Sequence, residues 1–163
     1  MNIGDKIPAG LKGKLITPSE KELGKDAGKS VALSSLWKEG PLVLYFYPKD
    51  NTPGCTTEAL QFRDHLKKFA KFNARVVGVS RDDAKAHCSF ISKQDLNFDL
   101  LSDTDGSITE AFGVWVEKSM YGKKYMGIAR QTFLIEKGKI VHVWEKVAVK
   151  THAEDVLKVL AGS

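Results

Sequence analysis

Six apolar or aromatic residues stand together at positions 42 to 47 (LVLYFY), a run too short for a buried helix and closed by Pro48. Such a run predicts a strand covered on both faces, and therefore one in the interior of a sheet. Beyond KDNTPG, the apolar positions Ala59, Phe62, Leu66 and Phe69 recur at helical spacing among charged residues, which predicts an amphipathic helix over about residues 55–72. RVVGVS (75–80) reads as a second buried strand. A strand, a helix and a strand at this spacing imply a parallel pair joined by a right-handed crossover.

The helical period returns between Asp82 and Gln94, with Ala84, Cys88 and Ile91 on one face, so Cys88 should point inward. A short helix is expected over Ser107–Phe112, followed by a long glycine-containing loop, WVEKSMYGKKYMGIAR. QTFLI and KIVHVW flank EKGK as the arms of a hairpin. The last helix opens at THAE, where Thr151 and Glu154 have the spacing of a capping box, and continues with Ala153, Val156, Leu157 and Leu160 on one face. After residue 40 the expected order is βαβα, a short helix, then ββα. This is the order of a thioredoxin-like α/β fold, a three-layer α/β/α sandwich around a mixed sheet, here preceded by an N-terminal β extension of about 40 residues. One domain over residues 1–163 accommodates all of it.

Composition narrows the function. The 42% apolar and 28% charged content is that of a folded globular chain, and the first twenty residues contain neither a secretory h-region nor a membrane anchor. With two cysteines there is no disulfide scaffold, and a cytoplasmic location is expected. The net charge of +5 raises the question of nucleic acid. Lys67, Lys68 and Lys71 fall on the polar side of a helix, however, and Lys123 and Lys124 lie in a polar stretch without interleaved stacking residues, so neither nucleic acid nor a membrane is an expected partner. His65, His87, His142 and His152 fall on different elements with no metal-ligand spacing, and GCTTE lacks the lysine of a phosphate loop, so neither a metal nor a cofactor is expected.

Cys55 sits at the start of the first helix in PKDNTPGCTTE. A thiol is nucleophilic as its thiolate, and unpaired N–H groups at a helix start favour negative charge. Pro53 stiffens the turn, Gly54 permits close approach, and Thr52 places a hydroxyl three residues before the sulfur.

The string P48-K-D-N-T52-P-G-C55 resembles the Pro-x-x-x-Thr-x-x-Cys signature of peroxiredoxins, and YFYPKDNTPGCTTE is similar to their bacterioferritin-comigratory, or Q-type, subfamily. The likeness runs on through VVGVSRD, LLSD, FGV, MYGK and GIARQTFLI. It implies a thiol peroxidase acting on hydrogen peroxide and alkyl hydroperoxides, in which Cys55 is the peroxidatic cysteine. Thr52 would bond the peroxide, Pro48 would keep water from the sulfur, and Arg130 would be the cation beside it, with Glu58 supporting Arg130. Electrons would come from thioredoxin or a similar dithiol protein, and a monomer is expected. The competing expectation is a thioredoxin-fold redox sensor or binding protein switched by oxidation of Cys55.

A sulfenic acid on Cys55 must meet a second thiol before it is overoxidised. In many Q-type proteins that thiol is five residues on, where this chain has Leu60; in others it is on the next helix, at the place of Ile91. Cys88 lies one turn earlier on the same face, so it is either the resolving cysteine or a small core residue. Resolution from there requires local unfolding at both helices. Trp115, Tyr121 and Tyr125 are further candidates, as walls of a peroxide entrance.

Overall fold

The structure, a computed structural model, describes residues 1–162. Leu42–Phe46 forms β3, every residue of which is buried, as the apolar run requires. It pairs parallel with β4 (Arg75–Ser80) on one side and antiparallel with β8 (Gln131–Glu136) on the other. The β3–β4 crossover is α1 (Pro53–Ala70), and β4 runs through α2 (Ala84–Gln94) into β5 (Asp99–Ser102), again parallel. β9 (Lys139–Trp144) closes one edge as a hairpin with β8. β1 (Lys12–Ile16) and β2 (Lys29–Ala32) extend the other edge, so the N-terminal extension belongs to the same sheet. The order is β2-β1-β5-β4-β3-β8-β9, a mixed seven-stranded sheet.

Alternation along β3 distributes its side chains to two cores. Val43, Tyr45 and Tyr47 face α1, α2 and α4 (His152–Ala161), where they meet Ala59, Phe62, Phe69, Phe90, Ile91 and Val156. Leu42, Leu44 and Phe46 face the short 3-10 helix Leu33–Trp37 and α3 (Ser107–Ala111), against Leu36, Ile108, Phe112 and Phe133. Helices on both faces of one sheet give the expected three-layer thioredoxin-like fold.

Two expectations are corrected. Residues 115–130 are not a loop but a hairpin of β6 (Trp115–Met120) and β7 (Lys123–Ile128), a separate two-stranded sheet. Its turn is Tyr121–Gly122, both at positive φ (52° and 78°), a primed turn whose twist suits two antiparallel strands. The capping box at the last helix is not formed. Thr151 has φ −127° and ψ 0°, away from the extended cap conformation, and its hydroxyl donates to Asp155 at 3.3 Å instead of receiving a backbone N–H. β5 is an addition that the periodicity, at four residues, did not reveal.

The first residue of α4 yields a prediction. His152 is 1% exposed, its Nε2 lies 2.7 Å from the Thr132 hydroxyl, and the rings of Phe62 and Trp144 meet it edge-on. Burial lowers its pKa to about 4 from an ordinary 6.5. The unfolded chain therefore binds this proton first on acidification, and His152 contributes stability that is present above pH 6.5 and is lost as pH falls towards 4. The expected loss is about 3 kcal/mol. Urea unfolding at pH 7 and pH 4 should show a larger difference for the native chain than for His152→Gln.

Candidate active site

The loop from Pro48 to Thr52 is shaped by its own sequence. Asn51 adopts φ 62°, a left-handed conformation that asparagine tolerates, and so turns the chain from β3 into α1. Thr52 is the N-cap residue and Pro53 the first helical residue, where a missing N–H costs nothing. Cys55 is thus the third residue of α1, held in the apolar core at 1% exposure. The Thr52 hydroxyl donates to the Lys49 carbonyl at 2.7 Å rather than capping the helix. That hydrogen bond fixes its orientation while leaving the oxygen's lone pairs available as acceptors.

Arg130 directly precedes β8, 75 residues further on than Cys55. Its Nη2 donates to Cys55 Sγ at 3.3 Å, and its Nη1 donates to Glu58 Oε1 at 2.7 Å. One planar guanidinium therefore bridges the sulfur and a carboxylate on the next turn of α1. Gly54 makes room for it: a Cβ there would stand 3.2 Å from Arg130 Nη2. Glu58 is fully buried, and its Oε2 has no hydrogen-bond partner. Burial raises its pKa to about 7, with the Arg130 charge and hydrogen bond acting against that rise. The Cys55–Arg130–Glu58 cluster thus contains a carboxylate that titrates near neutrality.

The sequence-predicted residues do not all converge. Arg130 joins Cys55 and Glu58, while Thr52 is the N-cap residue three positions before the sulfur and Pro48 lies in the loop that leads into α1. Cys88 lies on α2, 2% exposed, with its thiol directed at the Glu20 and Gly24 carbonyls (3.5 and 3.6 Å), and no disulfide joins it to Cys55. Burial pushes the Cys88 thiol pKa up. Of the aromatic candidates, Trp115 packs under the Arg81 guanidinium, 3.4 Å from its ring centre, and Tyr121 stands in solvent at the hairpin tip, 99% exposed. Tyr125 is also exposed. One cation escaped the sequence reading. Lys118 on β6 is half-buried, and its pKa is lowered first by burial and then by the Arg130 charge, with Cys55 acting in the opposite direction. The sequence carried no signal for it, because the stretch reads as a loop and the pairing of β6 with β7 is what brings it there.

The chain matches the AhpC/TSA family over residues 3–143. Peroxiredoxin Bcp of Bacillus subtilis is 49% identical over 161 residues, which cover 98% of this chain and 95% of the relative. The chain belongs to the AhpC/TSA family, as a peroxiredoxin of the Bcp type. Solved structures agree. A mutant of Xylella fastidiosa PrxQ superposes with a TM-score of 0.86 at 43% identity, over 99% of this chain and 96% of that one. Xanthomonas campestris bacterioferritin comigratory protein, solved as trapped intermediate and ligand complexes bearing on alkyl peroxide reduction, gives 0.82 at 40% identity, over 97% and 98%. The peroxiredoxin is accordingly an enzyme that reduces peroxides through a thiol. Among its described residues no helix is long and apolar enough to cross a membrane.

Proposed function

We propose that Cys55 is the sulfur that attacks peroxide and that Cys88 resolves the product, with hydrogen peroxide and alkyl hydroperoxides as substrates and a thioredoxin-like dithiol protein as reductant. The observation that carries this reading is the Arg130 guanidinium donating to the Cys55 sulfur while anchored by buried Glu58. Cys55 thiolate attacks one peroxide oxygen in line, the S–O bond forms as the O–O bond breaks, and the departing oxygen leaves as water or alcohol after taking a proton. Charge moves from sulfur onto the oxygens, where a fixed guanidinium stabilises it more in the transition state than before reaction. The Thr52 hydroxyl, already donating to the Lys49 carbonyl, accepts the peroxide O–H and so orients the substrate. Pro48, beside it in the same loop and without an N–H, shields the sulfur from water.

The sulfenic acid then condenses with the Cys88 thiol, forming a disulfide and releasing water. Cys88 is a buried helical residue packed against the 3-10 segment Gly24–Asp26, so this step follows local unfolding at the start of α1 and in α2. The dithiol reductant restores both thiols by exchange through a mixed disulfide. We infer that the protein acts as a monomer in the cytoplasm, and gel filtration at working concentration tests the first half of that statement.

One equivalent of peroxide followed by non-reducing mass mapping is expected to give a Cys55–Cys88 disulfide. A stable sulfenic acid on Cys55, or a mixed disulfide at Cys55 alone, would remove Cys88 from the mechanism. Turnover with thioredoxin, its reductase and NADPH tests the reductant separately.

A further inference from the structure

Between the two cysteines lies a buried polar network that the chemistry above does not use. Asp50 and His87 are 6% and 0% exposed. The Asp50 Oδ2 to His87 Nδ1 distance is 2.7 Å, and Tyr47 donates its hydroxyl to Asp50 Oδ1 at 2.5 Å. His87 Nε2 lies 3.3 Å from the Leu101 carbonyl, an acceptor only, so that nitrogen carries a hydrogen. The Asp50 backbone N–H donates to Asp82 Oδ2 at 2.9 Å, an oxygen that also receives the Ser80 hydroxyl. The groups facing the pair are therefore Tyr47 directly after β3, Asp82 from the β4–α2 connection and the Leu101 carbonyl from β5.

A buried, fully bonded acid–imidazole pair adds little to stability over a well-packed apolar one, yet breaking it is costly. Its significance lies in what it joins. Asp50 is two residues from Thr52 and lies in the loop that carries Pro48, while His87 directly precedes Cys88. The pair, together with the Tyr47 hydroxyl 3.4 Å from His87 Nδ1, joins the peroxide-binding loop to the helix of the second cysteine. While the pair is closed, Asp50 and the turn before Cys88 are held together.

We propose that the Asp50–His87 pair is a latch between the peroxide-reducing and disulfide-forming conformations, positioning the Pro48–Thr52 loop when closed and freeing the Cys88 turn when open. Both are positioning residues that touch no reacting atom. This rests on Cys88 acting as the resolving thiol.

Rapid-quench alkylation with mass detection separates the two steps, giving the peroxide-dependent oxidation of Cys55 and then the peroxide-independent disulfide. His87→Asn and Asp50→Ala are expected to slow the first and to speed the second by about tenfold, the change that about 1.4 kcal/mol produces. Faster resolution should also reduce sulfinic acid at high peroxide. A merely structural lesion slows both steps. Both slowed, or the disulfide rate unchanged or reduced, overturns the latch. Asp50→Ala, which cannot bond His87, carries the test if His87→Asn does not fold. If the native chain forms no Cys55–Cys88 disulfide, the resolving role fails on its own, and amide exchange decides the latch. Faster exchange at residues 54–57 and 84–90 in either variant supports it, and unchanged exchange overturns it.

Discussion

Cys55→Ser is expected to lower peroxide turnover by at least about a thousandfold while leaving the fold intact. The size follows from the role: without the nucleophile, the covalent route is lost, and a hydroxyl at the same place is too weakly acidic to replace a thiol in attacking an O–O bond. The tolerance follows from the geometry. Serine is close to cysteine in size, and its oxygen can accept the Arg130 N–H that the sulfur now accepts at 3.3 Å. The buried oxygen is thereby partnered, so denaturant unfolding should shift by no more than about 1 kcal/mol. A coupled assay with the dithiol reductant measures the first effect, and urea unfolding the second. Substantial residual turnover in a folded variant would show that another group attacks the peroxide. Cys88→Ser differs in kind: its first, stoichiometric oxidation of Cys55 should remain, with catalysis lost after one turnover unless an external thiol resolves the sulfenic acid.

The parts of the fold legible in the sequence were those in which a residue's environment repeats along the chain. LVLYFY is buried on both faces, so its pattern states its position without reference to any other segment. Ala59, Phe62 and Phe69 are buried at helical spacing and announce α1 in the same way. The β6–β7 hairpin fails this test. Met120, Tyr121, Tyr125 and Met126 are apolar yet exposed, the strands carry lysines, and their stability comes from a Tyr-Gly turn and from Arg81 over Trp115, 34 residues away (115 − 81). The candidate site divides similarly. Cys55 and Thr52 are local to one turn and could be argued from their own neighbours. The Arg130–Glu58 bridge spans 72 residues and the Asp50–His87 pair spans 37, and both depend on strand register that no local pattern encodes. Arg130 and Glu58 came within reach through the resemblance of a long motif; Asp50 stands inside that motif too, but its pairing with His87 needed coordinates.

Arg130→Gln is expected to reduce the rate constant for peroxide reduction by about 100- to 1,000-fold, the cost of removing one preorganised donor from a charge-developing site. Its effect on stability should depend on pH in a way that separates structure from chemistry. Glu58 is fully buried, and Arg130 is the group that opposes the rise of its pKa to about 7. Removing the guanidinium removes that opposition, so Glu58 in the variant holds its proton to still higher pH. Below pH 7 the carboxyl is largely neutral with or without Arg130, and the variant should be nearly as stable as the native chain. Above pH 7 the native chain pairs an ionised Glu58 with Arg130, whereas the variant must bury an uncompensated charge or keep the proton at growing cost. The stability gap should therefore widen as pH rises from 7 to 9, visible in urea unfolding across that range. Adding Glu58→Gln should close the gap by removing the charge, yet it should not restore the rate, because the donor to the sulfur is still missing. Glu58→Gln alone keeps Arg130 and should cost about tenfold in rate or less, chiefly above pH 7, where the lost anchor was charged. If the double variant recovers activity along with stability, Arg130 serves the fold, and the charge stabilisation assigned to it at the peroxide oxygens is wrong.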